Sequence, residues 1–309
     1  MLPLLTDDPR EAAAVLGRGG LVAFPTETVF GLGADARDAD AVTRVFAAKG
    51  RPADNPLIVH LADADAAGEI AVVTDLGRAL LDAFAPGPLS VVLPGRGGLP
   101  HAVTAGLDTV AVRVPSHRPA RAFLRAAGVP VVAPSANRSG RPSPTTWQAV
   151  AEDLGEHVDA ILRGPLSDIG LESTVVDATG AAPVVLRPGA VSLEALRARF
   201  PETTVAAPGG VARSPGLRHR HYAPRARVRV VPAPPTQGDG EAAWIGLSAP
   251  PSGYGLVEVC PDADAYARRL FDFFRRADAA RLARIDAEAV PEGGVGRALM
   301  DRLRRAAAG

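Results

Sequence analysis

Lys49 is the only lysine among the 34 lysines and arginines of this 309-residue chain, and it stands in Ala48-Lys49-Gly50-Arg51-Pro52-Ala53-Asp54-Asn55-Pro56. Where a generic positive charge suffices, this composition uses arginine. An ammonium on a flexible stem can place a point charge on one oxygen, whereas a planar guanidinium forks across two. Lys49 and Arg51, separated by glycine, therefore suit a polyphosphate, and Asn55 and His60 add hydrogen-bonding side chains close by. The simpler alternative for the two cations is a solvated helix C-terminus, where positive charge meets the helix dipole. No G-x-x-x-x-G-K-[ST] loop is present and no G-x-G-x-x-G opens a helix after the first strand, so a nucleotide bound here would not use either common phosphate loop.

Five further stretches place polar groups at the ends of apolar runs or within them. Phe24-Pro25-Thr26-Glu27-Thr28-Val29-Phe30-Gly31-Leu32-Gly33 sets two hydroxyls and a carboxylate where loops of α/β folds meet ligands; a helix cap is the plainer role for either threonine. Arg113 sits in Val110-Ala111-Val112-Arg113-Val114, which otherwise reads as a buried strand. A guanidinium there must face an anion, either an acidic side chain such as Glu27 or Glu172 or the carboxylate of a small acid. The stretch 133–144 carries Ser135, Asn137, Ser139 and Ser143, small groups that can meet phosphate or ribose. Ser143-Pro144 also reads as a helix start. Gly170-Leu171-Glu172-Ser173-Thr174 and Leu186-Arg187-Pro188-Gly189 repeat the pattern. A serine hydrolase is disfavoured because no G-x-S-x-G is present. The single Cys260 rules out an internal disulfide framework, and His219-x-His221 is a weak metal motif without an acidic partner.

The elements that must position these groups follow from short β-branched runs bounded by Pro or Gly. Strands are predicted over 21–24, 57–61, 89–93, 110–114, 129–132, 174–176 and 184–186, with helical spacing over 40–48, 76–84 and 118–127. This predicts an α/β domain with a mixed, twisted sheet over 1–205. A Pro- and Gly-punctuated linker follows over 206–225, unusual in carrying two histidines, Tyr222 and several arginines. A second α/β unit over 226–309 is predicted from strands at 228–231, 243–247 and 256–259 and helices at 263–277 and 295–308. At about 85 residues it should dock on the first. Hydrophobic content of 47% and zero net charge describe an ordinary globular chain with no basic field to draw it onto nucleic acid. With no secretory signal and no apolar run near ~20 residues, a cytoplasmic location and no membrane partner are expected.

Together, P-T-E-T-V-F-G-L-G, K-G-R-P-A-D-N-P-L-I-V-H, A-V-R-V-P, A-P-S-A-N-R-S-G-R-P-S-P-T, L-E-S-T-V-V-D and L-R-P-G closely resemble the YrdC-like superfamily. S-P-G-L-R-H-R-H-Y-A-P and the C-terminal G-G-V-G-R-A-L-M-D-R-L-R-R-A-A resemble its two-domain branch, the L-threonylcarbamoyladenylate synthases. The resemblance implies a concave basic cavity in the first domain, a small Rossmann-like C-terminal domain, and a linker crossing the cavity mouth. It implies a nucleotidyltransferase that makes threonylcarbamoyl-AMP and pyrophosphate from L-threonine, bicarbonate and ATP, with Mg2+ accompanying the nucleotide. The adenylate would pass to a threonylcarbamoyl-transferase complex that modifies tRNA, without stable nucleic-acid binding by this chain. Carried over residue by residue, Thr28, His60, Arg113 and Ser173 would meet L-threonine. Arg51, Asn55, Thr109, Ser135, Ser143 and Arg187 would meet ATP, with Tyr222 closing from the linker. Lys49 would sit at the phosphates and form, with Arg51, the catalytic pair. One departure is Phe30, where the family usually has tyrosine; its ring is expected to serve packing. An RNA-binding module and a carbamoyl transfer from carbamoyl phosphate are the competing readings.

Overall fold

The computed structural model describes residues 2–52, 54–207 and 222–308. In chain order the elements are β1 (Leu4–Thr6), α1 (Pro9–Leu16), β2 (Val22–Phe24), β3 (Gly31–Asp35), α2 (Ala39–Lys49), β4 (Ile58–His60), α3 (Asp75–Phe84) and β5 (Leu89–Pro94). There follow α4 (His101–Thr104), β6 (Thr109–Arg113), α5 (Arg118–Ala127), β7 (Val131–Val132), α6 (Trp147–Leu154), β8 (Ala160–Leu162), β9 (Thr174–Asp177), β10 (Val184–Arg187), α7 (Leu193–Arg199) and β11 (Thr204–Val205). After the linker come β12 (Arg227–Val231), β13 (Ala242–Gly246), β14 (Leu256–Val259), α8 (Ala263–Ala279), β15 (Arg284–Glu288) and α9 (Gly296–Ala307).

The β-branched runs pair into one mixed 11-stranded sheet in the order β1-β8-β2-β3-β7-β4-β6-β5-β9-β10-β11. Its strands alternate too little to leave a polar face, because helices cover much of it, and Val59, Val91, Val112, Val132 and Val176 are all fully buried. Phe30 is likewise buried in this core, where its ring packs. Helix α2 begins at Asp38, whose carboxylate caps the amides of Asp40 and Ala41, and it buries Ala41, Val42, Val45 and Phe46. It stops at Gly50, which takes a left-handed φ of 59°. Lys49, the last residue of the helix, is buried, and Arg51 follows the reversal.

Five strands, β1, β3, β8, β11 and β15, fall outside the runs predicted from the sequence. Strand β3 is glycine-rich because a Cβ at Gly31 would lie 3.1 Å from Ala133 Cβ, and one at Gly33 3.1 Å from an edge atom of Phe24. Strand β8 is only three residues long. Strand β15 carries Asp286 and Glu288 yet is central in the second sheet, an all-parallel set ordered β12-β15-β13-β14. Asp286 is tolerated there because Arg229, Arg284 and the Tyr254 hydroxyl donate to it. Glu288 accepts from the amides of Leu247 and Ser248.

The small unit docks on the large one, as its size led us to expect. Its aromatic core of Tyr266, Phe271, Phe273 and Phe274 also takes in Val29 and Leu171 from the first part of the chain. Arg275 of α8 reaches Asp153 of α6 at 2.9 Å and the Pro142 carbonyl at 2.5 Å. Gly170 lies so close to α8 that a Cβ would come 2.5 Å from the Arg268 backbone. Most of the predicted linker, including His219 and His221, lies outside the described residues. Among the described residues no helix is long and apolar enough to cross a membrane.

Candidate active site

Strand register makes the first contact. β4 and β6 run parallel with His60 directly opposite Arg113, so two polar side chains emerge side by side from otherwise apolar strands. They open into a cavity lined by Thr28, Val29, Arg51, Pro56, Leu57, Ile58, His60, Arg113, Ala133, Pro134, Ser135, Asn137, Glu172, Ser173, Arg187 and Tyr222. Eight of the twelve residues nominated from the sequence are in this wall: Thr28, Arg51, His60, Arg113, Ser135, Ser173, Arg187 and Tyr222.

The buried Arg113 guanidinium finds its anion in Glu27. Nη2 donates to Glu27 Oε1 at 2.7 Å and Nε to the Gly87 carbonyl at 3.4 Å, while Nη1 has no protein acceptor among the described residues. Burial works to raise the Glu27 pKa, but the guanidinium outweighs it and the net shift is downward. Thr28 is prepared in a different way. The Thr26 hydroxyl gives its only proton to the Val29 carbonyl at 2.6 Å, so across the 2.8 Å contact between the two threonines Thr28 must be the donor. Its oxygen is left as an acceptor facing the cavity.

His60 is held neutral. Burial first, and then the Arg113 charge, push it down to about 3. Its Nδ1 lies 3.3 Å from the Ile58 carbonyl, which can only accept, so the proton is on Nδ1 and Nε2 is the acceptor. The unfolded chain binds a proton on His60 below its ordinary value of 6.5, and the folded chain refuses it until about 3. This group's stabilisation is therefore complete above 6.5 and is lost as pH falls towards 3. A His60→Gln variant should show a stability–pH slope shallower by about 1.4 kcal/mol per pH unit through the middle of that window. Denaturant titrations at several pH values would measure it, and equal slopes for the two proteins would contradict the assignment.

The far wall is cationic. Arg51 donates to the carbonyls of Asn55 and Pro56 at 3.2 and 3.0 Å, and burial lowers it to about 10, still charged at neutral pH. Arg187 donates to the Ser173 carbonyl and hydroxyl at 2.9 and 3.2 Å, and Ser173 is held in turn by Ser90 at 2.8 Å. The only carboxylate among the described residues lining the cavity is Glu172, which accepts from Ser143 Oγ at 2.5 Å and Arg302 Nε at 2.7 Å. Burial opposes its charge, but Arg302 and then Arg187 bring its pKa below the ordinary value. Three guanidiniums facing one engaged carboxylate make a pocket suited to a polyanion together with a small carboxylic acid.

Four nominated residues do not line this wall. Lys49, expected at phosphate oxygens, turns inward instead and donates to the carbonyls of Ser135 and Asn137, the latter at 2.6 Å. Burial and the neighbouring Arg51 push its pKa well below the ordinary lysine value, against the direction a phosphate-holding ammonium needs. Ser143 is fully buried and spends its proton on Glu172, and Thr109 is buried at the start of β6. Asn55 contributes its carbonyl to Arg51 from behind the wall. Sequence reasoning missed Arg302 altogether and saw Glu172 only as a possible partner of Arg113. The only sequence signal for Arg302 was its place in the C-terminal motif.

A family model for Sua5, YciO and YrdC proteins, described as telomere recombination, matches residues 14–189. A second, described as the C-terminal domain of threonylcarbamoyl-AMP synthase, matches residues 191–308. The chain is 43% identical, over 96% of its length, to the threonylcarbamoyl-AMP synthase of Pyrococcus abyssi, of which it covers 93%. It is 39% identical, over 99% of its length, to that of Bacillus subtilis, of which it covers 95%. Its fold matches the crystal structure of P. abyssi Sua5 complexed with L-threonine with a TM-score of 0.91 at 39% identity, over 99% of this chain and 97% of that one.

Proposed function

The chain belongs to the two-domain threonylcarbamoyl-AMP synthase family, and from that premise we propose that its cavity seats L-threonine at Arg113, His60, Thr28 and Ser173 and the nucleotide at Arg51, Arg187, Ser135 and Tyr222. The activity is that of a transferase that forms an adenylate in tRNA modification. The observation that carries the placement is the pairing of His60 with Arg113 on adjacent strands, with Arg51 and Arg187 lining the same cavity.

Nη1 of Arg113, held in place by Glu27 behind it, takes the threonine carboxylate. The burial and the Arg113 charge that together keep His60 neutral also favour the free amine over its ammonium, and only the free amine is nucleophilic. Thr28 Oγ1 and His60 Nε2 accept the N–H and O–H donors of threonine. The amine attacks carbon dioxide in equilibrium with bicarbonate and loses a proton to become a carbamate. A carbamate oxygen then attacks the α-phosphorus of ATP and the α–β bridging bond breaks, releasing pyrophosphate. Arg51 and Arg187 stabilise the charge that builds on the phosphoryl oxygens and the leaving group, each worth about 3 kcal/mol when well placed. No covalent enzyme intermediate is needed. Tyr222 at the mouth limits water, to which both carbamate and mixed anhydride are sensitive.

Mg2+ enters as the ATP complex. Among the described residues no three His, Cys, Asp or Glu side chains group to hold a metal, so Mg2+ would arrive bound to ATP and would offset charge on its phosphates, and no step is assigned to a protein-held ion. The mixed anhydride is handed to a cytoplasmic complex that transfers the threonylcarbamoyl group to tRNA. Pyrophosphate release from ATP should require both L-threonine and bicarbonate. Release that is unchanged when threonine is omitted would overturn this reading.

A further inference from the structure

We propose that Asp278, near the end of helix α8 in the C-terminal unit, is a positioning residue of the synthase cavity: it anchors the chain just after Tyr222 and so keeps the tyrosine ring in the cavity wall. The inference rests on the nucleotide placement above and adds to it a role for the C-terminal unit.

Tyr222 lines the cavity and is buried. Its ring stacks on Phe271 of α8 with the centroids 5.5 Å apart, and its backbone takes a left-handed φ of 66°. A residue with a Cβ holds that conformation only where its surroundings fix it. The residues that follow do the fixing. The Ala223 amide donates to the Gly140 carbonyl at 2.9 Å. The Arg225 amide donates to both Asp278 carboxylate oxygens, at 2.9 and 3.0 Å, and the Ala226 amide to Oδ1 at 3.0 Å. Earlier in the same turn of α8, Arg275 donates to the Pro142 carbonyl at 2.5 Å. One turn of helix thus grips both the 133–144 stretch and the chain that leaves Tyr222, and the Ala223 bond joins the two.

The stability of α8 does not account for this aspartate. The helix spans Ala263–Ala279, so Asp278 lies in its last turn, where the carbonyl end of the helix dipole repels a carboxylate. Aspartate is also a poorer helix former than alanine. A residue that breaks both local rules is expected where it serves something outside its own helix. Here it holds two peptide N–H groups of the chain that follows Tyr222. Without it those amides turn to water, the backbone leaves the strained φ, and the ring leaves the wall. Binding at the nucleotide end then weakens in proportion to the fraction of molecules that keep the ring seated. The threonine end, built on the strand pair of His60 and Arg113, keeps its geometry.

The test is steady-state pyrophosphate release by the full-length protein, with ATP and L-threonine varied in turn. Asp278→Ala should raise the KM for ATP about 10-fold, within the range that relief of such strain permits, with the threonine KM changed far less. Hydrogen exchange at the Arg225 and Ala226 amides should speed up in the same variant. Asp278→Asn should recover most of the ATP affinity, because one side-chain oxygen can accept from both amides, as Oδ1 does. Tyr222→Ala should raise the ATP KM by itself, and adding Asp278→Ala should raise it no further, since the aspartate acts through the ring. A merely structural aspartate would weaken the double variant again. An unchanged ATP KM in Asp278→Ala beside a raised one in Tyr222→Ala, or an equal further rise in the double variant, would overturn the proposal. An unchanged ATP KM in Tyr222→Ala, or wild-type protein lacking threonine-dependent release, would instead overturn the functional reading.

Discussion

Arg113→Met is expected to lower threonine-dependent kcat/KM by about 1,000-fold, since truncating one member of a buried, hydrogen-bonded charge pair costs about 2–5 kcal/mol and the carboxylate anchor goes with it. The same substitution leaves Glu27 buried without its counter-charge, which typically costs about 3–5 kcal/mol of stability. The pH dependence separates the two effects. In the wild type the Glu27 carboxyl is held below its ordinary value of 4.5, so its stabilising contribution is present above 4.5 and is lost as pH falls through the lower folded value. In the variant burial is opposed only by backbone hydrogen bonds and moves the carboxyl upward. The stability gap between the two proteins is then widest at neutral pH and narrows in acid. Arg113→Met/Glu27→Leu should recover stability without activity, because an apolar pair of similar volume removes the stranded charge but cannot bind a carboxylate. Denaturant melts at neutral and acid pH, run beside the pyrophosphate assay, measure both. A double variant that regained turnover would place the carboxylate anchor elsewhere.

How far such groups can be read from sequence depends on whether their neighbours are local. Arg113 was legible because a charge inside Val-Ala-Val-Arg-Val demands an anion, and its partner Glu27 was one of two candidates. The strands of the large sheet built on β-branched runs bounded by Pro or Gly, such as β4, β5 and β6, were legible from those runs. Strand β3 was not, because its glycines answer to Phe24 and Ala133 across the sheet, a contact that local composition cannot show. Strand β15 was hidden by Asp286, whose donors Arg229, Arg284 and Tyr254 come from three places in the C-terminal unit. Arg302 stood on an ordinary amphipathic helix among other arginines, and only docking brings it to Glu172, 130 residues away. The family resemblance supplied Arg187 and Tyr222, which composition and spacing did not single out. It also put Lys49 at the phosphates, and there the geometry differs.

Lys49→Met tests that difference. The lysine joins α2 to the 133–144 stretch in both directions: its ammonium donates to the Ser135 and Asn137 carbonyls, and its own carbonyl accepts from the Ser139 amide at 2.8 Å. Methionine keeps the volume and removes the donors. Two buried carbonyls left without partners cost about 1–3 kcal/mol each in stability. Ala133, Pro134, Ser135 and Asn137 form part of the cavity wall, so a shift of about 1 Å in this stretch should cost about 100-fold in turnover. A lysine that touched phosphate directly would weaken ATP binding alone. A lysine that holds the wall should weaken both substrates and speed hydrogen exchange at the Ala136 amide, which now donates to the Phe30 carbonyl at 2.8 Å. Lys49→Arg should not rescue: the guanidinium is larger and planar, its donors are fixed in one fork, and the slot is fully buried beside Arg51. That is a physical reason for a lysine to persist here in a chain that uses arginine everywhere else. An arginine variant with wild-type kinetics, or a methionine variant defective in ATP binding alone, would return Lys49 to the phosphates.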